Sequence, residues 1–160
     1  MTANPDESRR SIVDIYRYVD GTRIRERGAI MFERTLQDDF VKFHALADRL
    51  TSGRPAIRSY ISNSAYFDSP SLRGMRCYLT HAWPNIQLSD LPGDVKRLGD
   101  ADENVFDIRT GVPIAAFTRP LAEHPSKQVS FSELAASRSQ KYAFLADHTR
   151  DFPARAVSND

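Results

Sequence analysis

Hydrophobic and polar residues alternate with two different periods along this chain. Residues 11–19 are rich in β-branched and aromatic side chains and end at Asp20-Gly21, which predicts a first strand followed by a turn. Between Ile30 and Leu50, apolar residues recur every three or four positions, which predicts a helix that ends before Gly53. The apolar stripe of this helix comprises Leu36, Phe40, Phe43, Leu46, Ala47 and Leu50.

The second half of the chain has shorter patterns. The stretch Arg58–Pro70 begins as a strand, becomes polar at its middle and ends at the proline. Met75, Cys77, Tyr78 and Leu79 fit either a strand or a short helix, and Ile86–Leu88 is a short segment between loops. Further strands are predicted at 104–109, 112–118 and 127–131, the last with Val129 and Phe131 on one face.

A last helix is predicted after these strands. Ser130 and Glu133 have the spacing of a capping box. Leu134, Ala135, Arg138, Tyr142 and Leu145 then follow one stripe of this helix. Helices and strands that mix in this way predict an α+β fold with a single domain over residues 11–150. Residues 1–10 and 151–160 are predicted to be tails.

Composition and charge narrow the function classes. The net charge is +1, so no global electrostatic field favours nucleic acid or an anionic membrane, and we expect neither partner. No run approaches the roughly 18 apolar residues of a membrane span. The N-terminus also lacks the apolar core of a secretory signal peptide.

Few residues carry obvious metal or nucleophile chemistry. Cys77 is the only cysteine, which excludes an internal disulfide and gives no sign of a metal–thiolate site. The four histidines are His44, His81, His124 and His148, and none has a standard metal-ligand spacing. The usual serine-hydrolase, phosphate-loop and dinucleotide motifs are missing from the sequence. We therefore predict no metal site.

Two features remain as candidates for a binding site. Arg17 lies inside the predicted first strand, where a charge needs a partner, a cleft or the solvent face of an edge strand. Ser62, Asn63 and Ser64 end the predicted strand of the middle segment. Such a polar triplet is either an ordinary turn or a set of hydroxyl groups at a sheet edge.

The order of three motifs resembles the arginine-serine-glutamate class of mono-ADP-ribosyltransferases. Tyr16-Arg17-Tyr18 corresponds to the Y-R-G motif of that class, and Tyr60-Ile61-Ser62-Asn63-Ser64 corresponds to its aromatic residue followed by S-T-S. The segment from Ser126 to Phe131 corresponds to E-x-E and the strand after it. Within the class, the chain is most similar to XopAI-type type III secreted effectors of plant-pathogenic bacteria.

The resemblance implies two small, mostly antiparallel sheets around a central cleft with flanking helices. It also implies roles for individual residues. Arg17 would hold the phosphates of NAD. Ser62 would orient the catalytic glutamate and help to shape the nicotinamide pocket, and Asn63 and Ser64 would also bind the cofactor. Ser126 and Gln128 would occupy the two catalytic positions.

The catalytic positions depart from the pattern of the class. Both glutamates are replaced, and Gln128 brings no negative charge to an oxocarbenium-like transition state. Losing one such electrostatic group typically costs about 10²–10³ in rate. Tyr18 also replaces the usual glycine. We therefore expect a degenerate transferase without a cofactor, which binds a host protein or an arginine-containing peptide in its cleft. The N-terminal tail, with Arg9 and Arg10, is a further candidate occupant.

Two other functions stay open at this point. One is an active NAD-dependent transferase in which Glu123 or Glu133 supplies the missing carboxylate. The other is a small α+β interaction domain unrelated to that class. For an effector of this type we expect secretion into the host cell by a route that needs no signal peptide, and a role in virulence.

Overall fold

The computed structural model describes residues 11–25, 28–93, 102–121, 127–147 and 155–156. Four α-helices and seven strands are present in these ranges, which confirms the predicted α+β class. The chain divides into two compact units, one within Met1–Gly53 and Ala65–Ala82 and the other within Arg54–Ser64 and Trp83–Asp160. The prediction of a single domain stays a prediction. The two tails, except for 155–156, lie outside the described residues.

The first unit begins with a 3-10 helix, Ile12–Arg17, and the prediction of a strand here was wrong. Val13, Tyr16 and Arg17 are its buried residues, and their spacing of three and four places them on one side of a helical turn. Tyr16 also donates a hydrogen bond from its hydroxyl to Asp48 at 2.6 Å. Packing of one helical side therefore outweighs the β propensity of these residues.

A two-residue hairpin follows the 3-10 helix. Strand β1, Tyr18–Val19, pairs with β2, Thr22–Arg23, through a turn at Asp20 and Gly21. Both turn residues have positive φ, 47° and 76°, as a type I′ hairpin turn requires. The turn predicted from the Asp-Gly pair is confirmed.

The single helix predicted between Ile30 and Leu50 is two helices, α1 (Ala29–Leu36) and α2 (Asp39–Thr51). The chain is extended at Asp38, with ψ 142°, so the helical period is interrupted there. In α2 the buried residues are Val41, His44, Ala45 and Asp48. The predicted stripe residues Phe43, Leu46 and Leu50 are exposed instead. The predicted stripe was wrong because α2 buries a different side, which includes the polar residues His44 and Asp48.

The first unit ends with helix α3, Arg73–Ala82, preceded by a 3-10 turn at Pro70–Leu72. The segment around Met75–Leu79 is therefore a helix and not a strand. A Cβ at Gly74 would lie 2.1 Å from the carbonyl oxygen of Tyr16, so α3 packs closely on the first 3-10 helix. No helix among the described residues is long and apolar enough to cross a membrane.

The second unit is built on a five-stranded sheet with the order β3-β5-β4-β6-β7. Its strands are β3 (Ala56–Ile61), β4 (Asn85–Leu91), β5 (Val112–Arg119), β6 (Gln128–Glu133) and β7 (Arg155–Ala156). All neighbours are antiparallel except β4 and β6, which are parallel. The strands predicted at 112–118 and 127–131 are confirmed. The short Ile86–Leu88 segment is a full central strand.

The register separates the two faces of this sheet. Phe117 lies opposite both Arg58 and Ile86, and these three residues share a buried face. The Arg58 guanidinium lies 4.3 Å from the Phe117 ring centre and 4.6 Å from that of Trp83. Val129 and Phe131 lie beside Ile86 and Leu88, so they share this face with each other as predicted.

Two predictions for the end of the chain were wrong. Residues 104–109 form an irregular loop, held by a bond from Asn104 Nδ2 to the Thr110 carbonyl at 2.7 Å. Ser130 and Glu133 lie within β6, so they cannot cap a helix. The last helix, α4, spans Arg138–Asp147. Its capping box is Ser137 and Gln140, since each side chain accepts a hydrogen bond from the backbone N–H of the other.

A buried lysine joins α4 to the end of β4. Lys141 is 0% exposed, and its ammonium group lies 2.7 Å from Asp102 Oδ1. The same group donates to the carbonyl oxygens of Pro92 at 2.5 Å and Glu103 at 2.7 Å. Asp102 also accepts a bond from the Ala136 N–H at 2.8 Å. We call this arrangement of Lys141, Asp102 and their backbone partners the lysine end of the sheet.

Candidate functional site

Four polar side chains lie close together on the solvent-facing side of the sheet. Thr118, Asn85 and Gln128 follow one another in register across β5, β4 and β6, and Gln87 is two residues further along β4. Residues two apart in a strand point to the same face, so Gln87 lies on the same side as Asn85. We call these four residues the amide end of the sheet. It is opposite the lysine end, because Asn85 begins β4 and Pro92 follows its last residue.

The side chains of the amide end are left to solvent and not used inside the fold. None of its four side chains makes a hydrogen bond to another described residue, whereas Lys141 has three partners at the other end. Together with Ser130, these four residues line a shallow cavity of about 360 Å³. Each primary amide offers one acceptor oxygen and two N–H donors, so the surface can satisfy a ligand that presents both kinds of group.

Three cationic residues lie near the amide end in sequence. Lys127 precedes Gln128, and Arg54 lies two residues before β3. Arg119 follows Thr118, so its side chain points to the opposite face, where it lies 4.4 Å from the Trp83 ring centre and donates a hydrogen bond to the Arg54 carbonyl at 3.2 Å. Arg54 and Lys127 are exposed, and neither pairs with a carboxylate among the described residues.

No charged residue from β3, β4, β5 or β6 lies on the face that carries the amide end. The acidic residues of these strands, Asp90 and Glu133, are register partners of one another on the opposite face. An anionic ligand at the amide end would therefore meet no carboxylate from these strands.

The first residue predicted for a binding site, Arg17, lies in the first unit and is engaged in an ion pair there. Its guanidinium makes a bidentate contact with Glu33, in which Nη2 lies 2.7 Å from Oε2, and Nε donates to Asp14 at 2.6 Å. Hydrogen bonding to Glu33 raises the pKa of Arg17, and the same bond lowers the pKa of Glu33. Arg17 therefore has its donors directed at two carboxylates of its own unit.

The serine triplet and Gln128 lie at opposite ends of the sheet. The Ser62 N–H donates to the Pro113 carbonyl at 3.4 Å and the Ser64 N–H to the Gly111 carbonyl at 3.3 Å, so the triplet continues the ladder at the far end of β5. Gln128 lies three strands across and about five residues along, a separation of roughly 20 Å from Ser62 at ordinary strand spacings. The sheet does not bring these residues together.

Of the remaining residues predicted for the site, two lie within the described part of the chain and two lie outside it. Asn63 lies between the two serines in the same connection. Ser126 and Glu123 lie outside the described residues. Glu133 is exposed at the last position of β6, five residues along from Gln128.

Most of the amide end was missed by sequence reasoning, although a signal was present. Asn85, Ile86, Gln87, Leu88 and Ser89 alternate strictly between polar and apolar, which is typical of a strand with one solvated face. The prediction considered only the apolar part of this segment. The register that brings Gln128 beside Asn85 joins residues 43 positions apart and cannot be predicted from local pattern.

Several solved structures match this chain in fold. The chain matches a nuclease-deletion mutant of the Type ISP restriction-modification enzyme LlaGI in complex with a DNA substrate mimic, with TM-score 0.73, 20% identity and 94% of this chain covered. A DrdV–DNA complex matches with TM-score 0.67 and 18% identity over 88% of this chain. The ATP-dependent Type ISP enzyme LlaBIII bound to DNA matches with TM-score 0.65 and 18% identity over 86%.

These matches establish the fold of the chain. The chain spans only 12%, 16% and 11% of the three larger chains, respectively. No family model matches the sequence, and no curated protein matches it significantly.

The resemblance to mono-ADP-ribosyltransferases was wrong. The three solved structures that share the fold are restriction-modification or DNA-complex structures and not ADP-ribosyltransferases. The motif match was misleading because Arg17 lies in a 3-10 helix and not a strand, and because Ser62 and Gln128 occupy distant parts of one sheet. The predictions of a degenerate transferase function and of a type III effector depended on this resemblance and were also wrong. The expectations about NAD and secretion rested on it too, and they stay predictions.

Proposed function

We propose that this chain is a DNA-binding module, and that the amide end of its sheet is the surface that contacts DNA. The observation that carries the proposal is the fold. Three structures that include DNA or a DNA substrate mimic each contain a region that matches 86–94% of this chain. That region is a small part of each larger chain. We therefore propose that the module supplies a DNA-binding surface to a larger assembly.

The chemistry of the amide end supports this proposal. Asparagine and glutamine side chains form paired hydrogen bonds with the N6 and N7 positions of adenine in the major groove. Arg54 and Lys127 border these amides and are exposed, which suits contacts to phosphate. Strands are known to enter DNA grooves and present alternate side chains to base edges. The amides would thus select sequence and the cations would position the duplex.

The expectation of no nucleic-acid partner is overturned by the DNA-bound structural neighbours. It was based on the net charge of +1. A net charge sums over both units of the chain, whereas a phosphate contact depends on the few cations near it. The cations at the amide end border a face without carboxylates from β3 to β6, so the local balance differs from the global one.

The proposal is tested by selecting preferred sequences from a pool of random DNA duplexes and measuring their binding by fluorescence anisotropy. We expect salt-sensitive binding, and tighter binding of a selected duplex than of its scrambled version. The double variant Gln87→Ala/Gln128→Ala should lose at least tenfold of that preference, because each paired amide–base contact is worth about 1–3 kcal/mol. It should retain weak binding to any duplex through the cations.

The matched control is Gln37→Ala, which removes an exposed glutamine amide at the end of α1 in the other unit. It should bind both duplexes as the unchanged protein does. Absence of salt-sensitive duplex binding by the full chain would overturn the proposal. Equal loss of preference in the control variant would show that the amide end is not the contact surface.

A further inference from the structure

A second group of polar residues lies in the first unit, independent of the amide end. Asp20, Cys77 and His81 each offer a potential ligand atom, and these atoms all lie within 4.8 Å of one another. The Cys77 thiol donates to Asp20 Oδ1 at 3.6 Å. Zinc bonds of about 2.0–2.3 Å span less than 4.8 Å at a tetrahedral angle, so one ion would contact all three groups after the side chains move slightly closer.

The two elements that carry the group hold it in a defined arrangement. Cys77 and His81 are four residues apart in α3, so they lie on one side of the helix, one turn from each other. Asp20 is the first residue of the type I′ turn between β1 and β2, with φ 47°. Residues that tolerate this conformation are mainly glycine, asparagine and aspartate, so the turn fixes Asp20 opposite the helix.

The imidazole of His81 lies beside the Cys77 thiol. Its Nδ1 is 3.8 Å from Cys77 Sγ and 2.7 Å from the Cys77 carbonyl oxygen. Since a carbonyl oxygen only accepts, Nδ1 carries the proton in the neutral ring and the lone pair is on Nε2. An ion between the three groups would bind Nδ1 in place of that hydrogen bond, with the proton moved to Nε2, or would bind Nε2 after the ring turns.

Spacing and ligand type both fit a tetrahedral transition-metal ion. Zinc–sulfur and zinc–oxygen bonds of the usual lengths at a tetrahedral angle separate the two ligand atoms by about 3.5 Å. The Cys77 and Asp20 atoms are 3.6 Å apart. A set of one sulfur, one nitrogen and one oxygen is borderline in softness, which favours zinc over magnesium or calcium.

Space for a fourth ligand adjoins the three residues. A surface cavity of about 310 Å³ is lined by Asp20, Cys77 and His81 together with Ile15, Tyr18 and Tyr78. Three protein ligands with one open position are typical of zinc sites that bind a water or substrate molecule. The cavity shares these three residues with the cluster and leaves room there for a fourth ligand.

We propose that Asp20, Cys77 and His81 form a binding site for a zinc-type divalent ion, with its open position facing this cavity. Binding would convert the Cys77 thiol to a thiolate and release its proton to solvent. The expectation of no metal site followed from the sequence spacing of the histidines. It did not consider a ligand set that joins a helix to a hairpin turn.

The test uses the full chain with Co²⁺, which replaces zinc in tetrahedral sites and absorbs light there. Cys77 is the only cysteine, so any thiolate-to-cobalt charge-transfer band reports this site alone. We expect one equivalent of Co²⁺ to produce this band together with visible bands of a tetrahedral ion, and one equivalent of Zn²⁺ to abolish both. Zn²⁺ should also raise the thermal unfolding temperature.

Three variants separate the site from nonspecific metal binding. Cys77→Ser should abolish the charge-transfer band, and Asp20→Asn should weaken Zn²⁺ affinity at least tenfold while it keeps the positive φ of the turn. All three ligand side chains are exposed or half-buried, so these variants should fold. Asp38→Asn, at an exposed aspartate of the same unit, is the matched control and should bind Zn²⁺ normally.

The absence of a thiolate band with Co²⁺ would overturn the proposal and leave the three residues as a hydrogen-bonded surface group. Zn²⁺ affinity that is unchanged in both Cys77→Ser and Asp20→Asn would overturn it as well, since the ion would then bind elsewhere.

Discussion

The two ends of the five-stranded sheet use polar residues in opposite ways. At the lysine end, Lys141 is fully buried and its ammonium group contacts one carboxylate and two carbonyl oxygens. At the amide end, Asn85, Gln87, Thr118 and Gln128 make no side-chain hydrogen bond to another described residue. Groups satisfied internally stabilise the fold, whereas groups left to solvent are available to a ligand. The sheet thus separates an end whose polar groups are satisfied internally from an end whose polar groups face solvent.

The largest effect is expected from breaking the lysine end. Lys141→Met would leave the Asp102 carboxylate, 5% exposed, without its cation. Removing one partner of a buried ion pair costs about 3–5 kcal/mol, because the remaining charge is uncompensated. We expect a loss of this size in the free energy of unfolding, measured by urea denaturation.

Two further variants make this test specific. Asp102→Asn combined with Lys141→Met should recover part of the loss, because the uncompensated charge is then gone. Lys42→Met, which removes an exposed lysine paired with Asp39, should cost less than about 1 kcal/mol. A cost below about 1 kcal/mol for Lys141→Met itself would contradict the structural role of this end.

A smaller effect is expected from the cations at the amide end. The variant Arg54→Gln/Lys127→Gln should weaken duplex binding and reduce the steepness of log affinity against log salt by about 0.9 for each phosphate that is no longer neutralised. The preference among DNA sequences should change little, because phosphate contacts carry no base information. Lys42→Gln is the control, and an unchanged slope in the double variant would exclude Arg54 and Lys127 as phosphate-binding residues.

The smallest effect is expected from the ion pair of Arg17 and Glu33. This pair is intermediate in burial between Lys141 and the solvent-exposed amides, because the Glu33 side chain is 49% exposed. The bond from Arg17 lowers the pKa of Glu33, so the pair stabilises the fold above the unfolded-state pKa and this stability is lost as pH falls through the folded-state pKa. Glu33→Gln should cost less than about 1 kcal/mol at pH 7 after solvent screening.

At acid pH, below both pKa values, the difference between Glu33→Gln and the unchanged protein should disappear. The measurement is the free energy of unfolding at pH 7 and over a series that extends well below about 4.3, the usual pKa of a glutamate side chain, because the folded-state pKa of Glu33 is lower than this. Glu133→Gln, at an exposed carboxylate, controls for general effects of charge. A difference that persists undiminished at acid pH would show that the stabilisation does not come from the Glu33 charge.

Sequence patterns predicted the fold where the structure is local. The Asp20-Gly21 turn and strands β5 and β6 were predicted correctly, because turn chemistry and alternation depend on neighbouring residues. The first segment was wrong because Val13 and Tyr16 are strong strand formers that instead pack on one side of a 3-10 helix. The residue preferences were outweighed by packing within the first unit.

The candidate surfaces could be predicted only in part. Gln128 was identified as a site residue, but for a role taken from a family that the fold does not support. Its actual neighbours, Asn85 and Thr118, are determined by strand register, which joins three segments distant in sequence. Cys77 and His81 have helical spacing, but the pattern of their segment fits a strand as well as a helix. Short motifs also match by chance, as Arg17 and Ser62 illustrate.

Side chains of the amide end are regularly spaced along β4 and β6, which run parallel in register. Alternate residues on one face of a strand are separated by about 6.6 Å, close to the roughly 6.8 Å that separates a base pair from the second one along the duplex. Under the proposed function, a strand that follows the groove would place Asn85 and Gln87 at base pairs two steps apart. In the register of β4 and β6, Gln128 lies beside Asn85 and Ser130 lies beside Gln87. The surface would then contact every second base pair along the duplex.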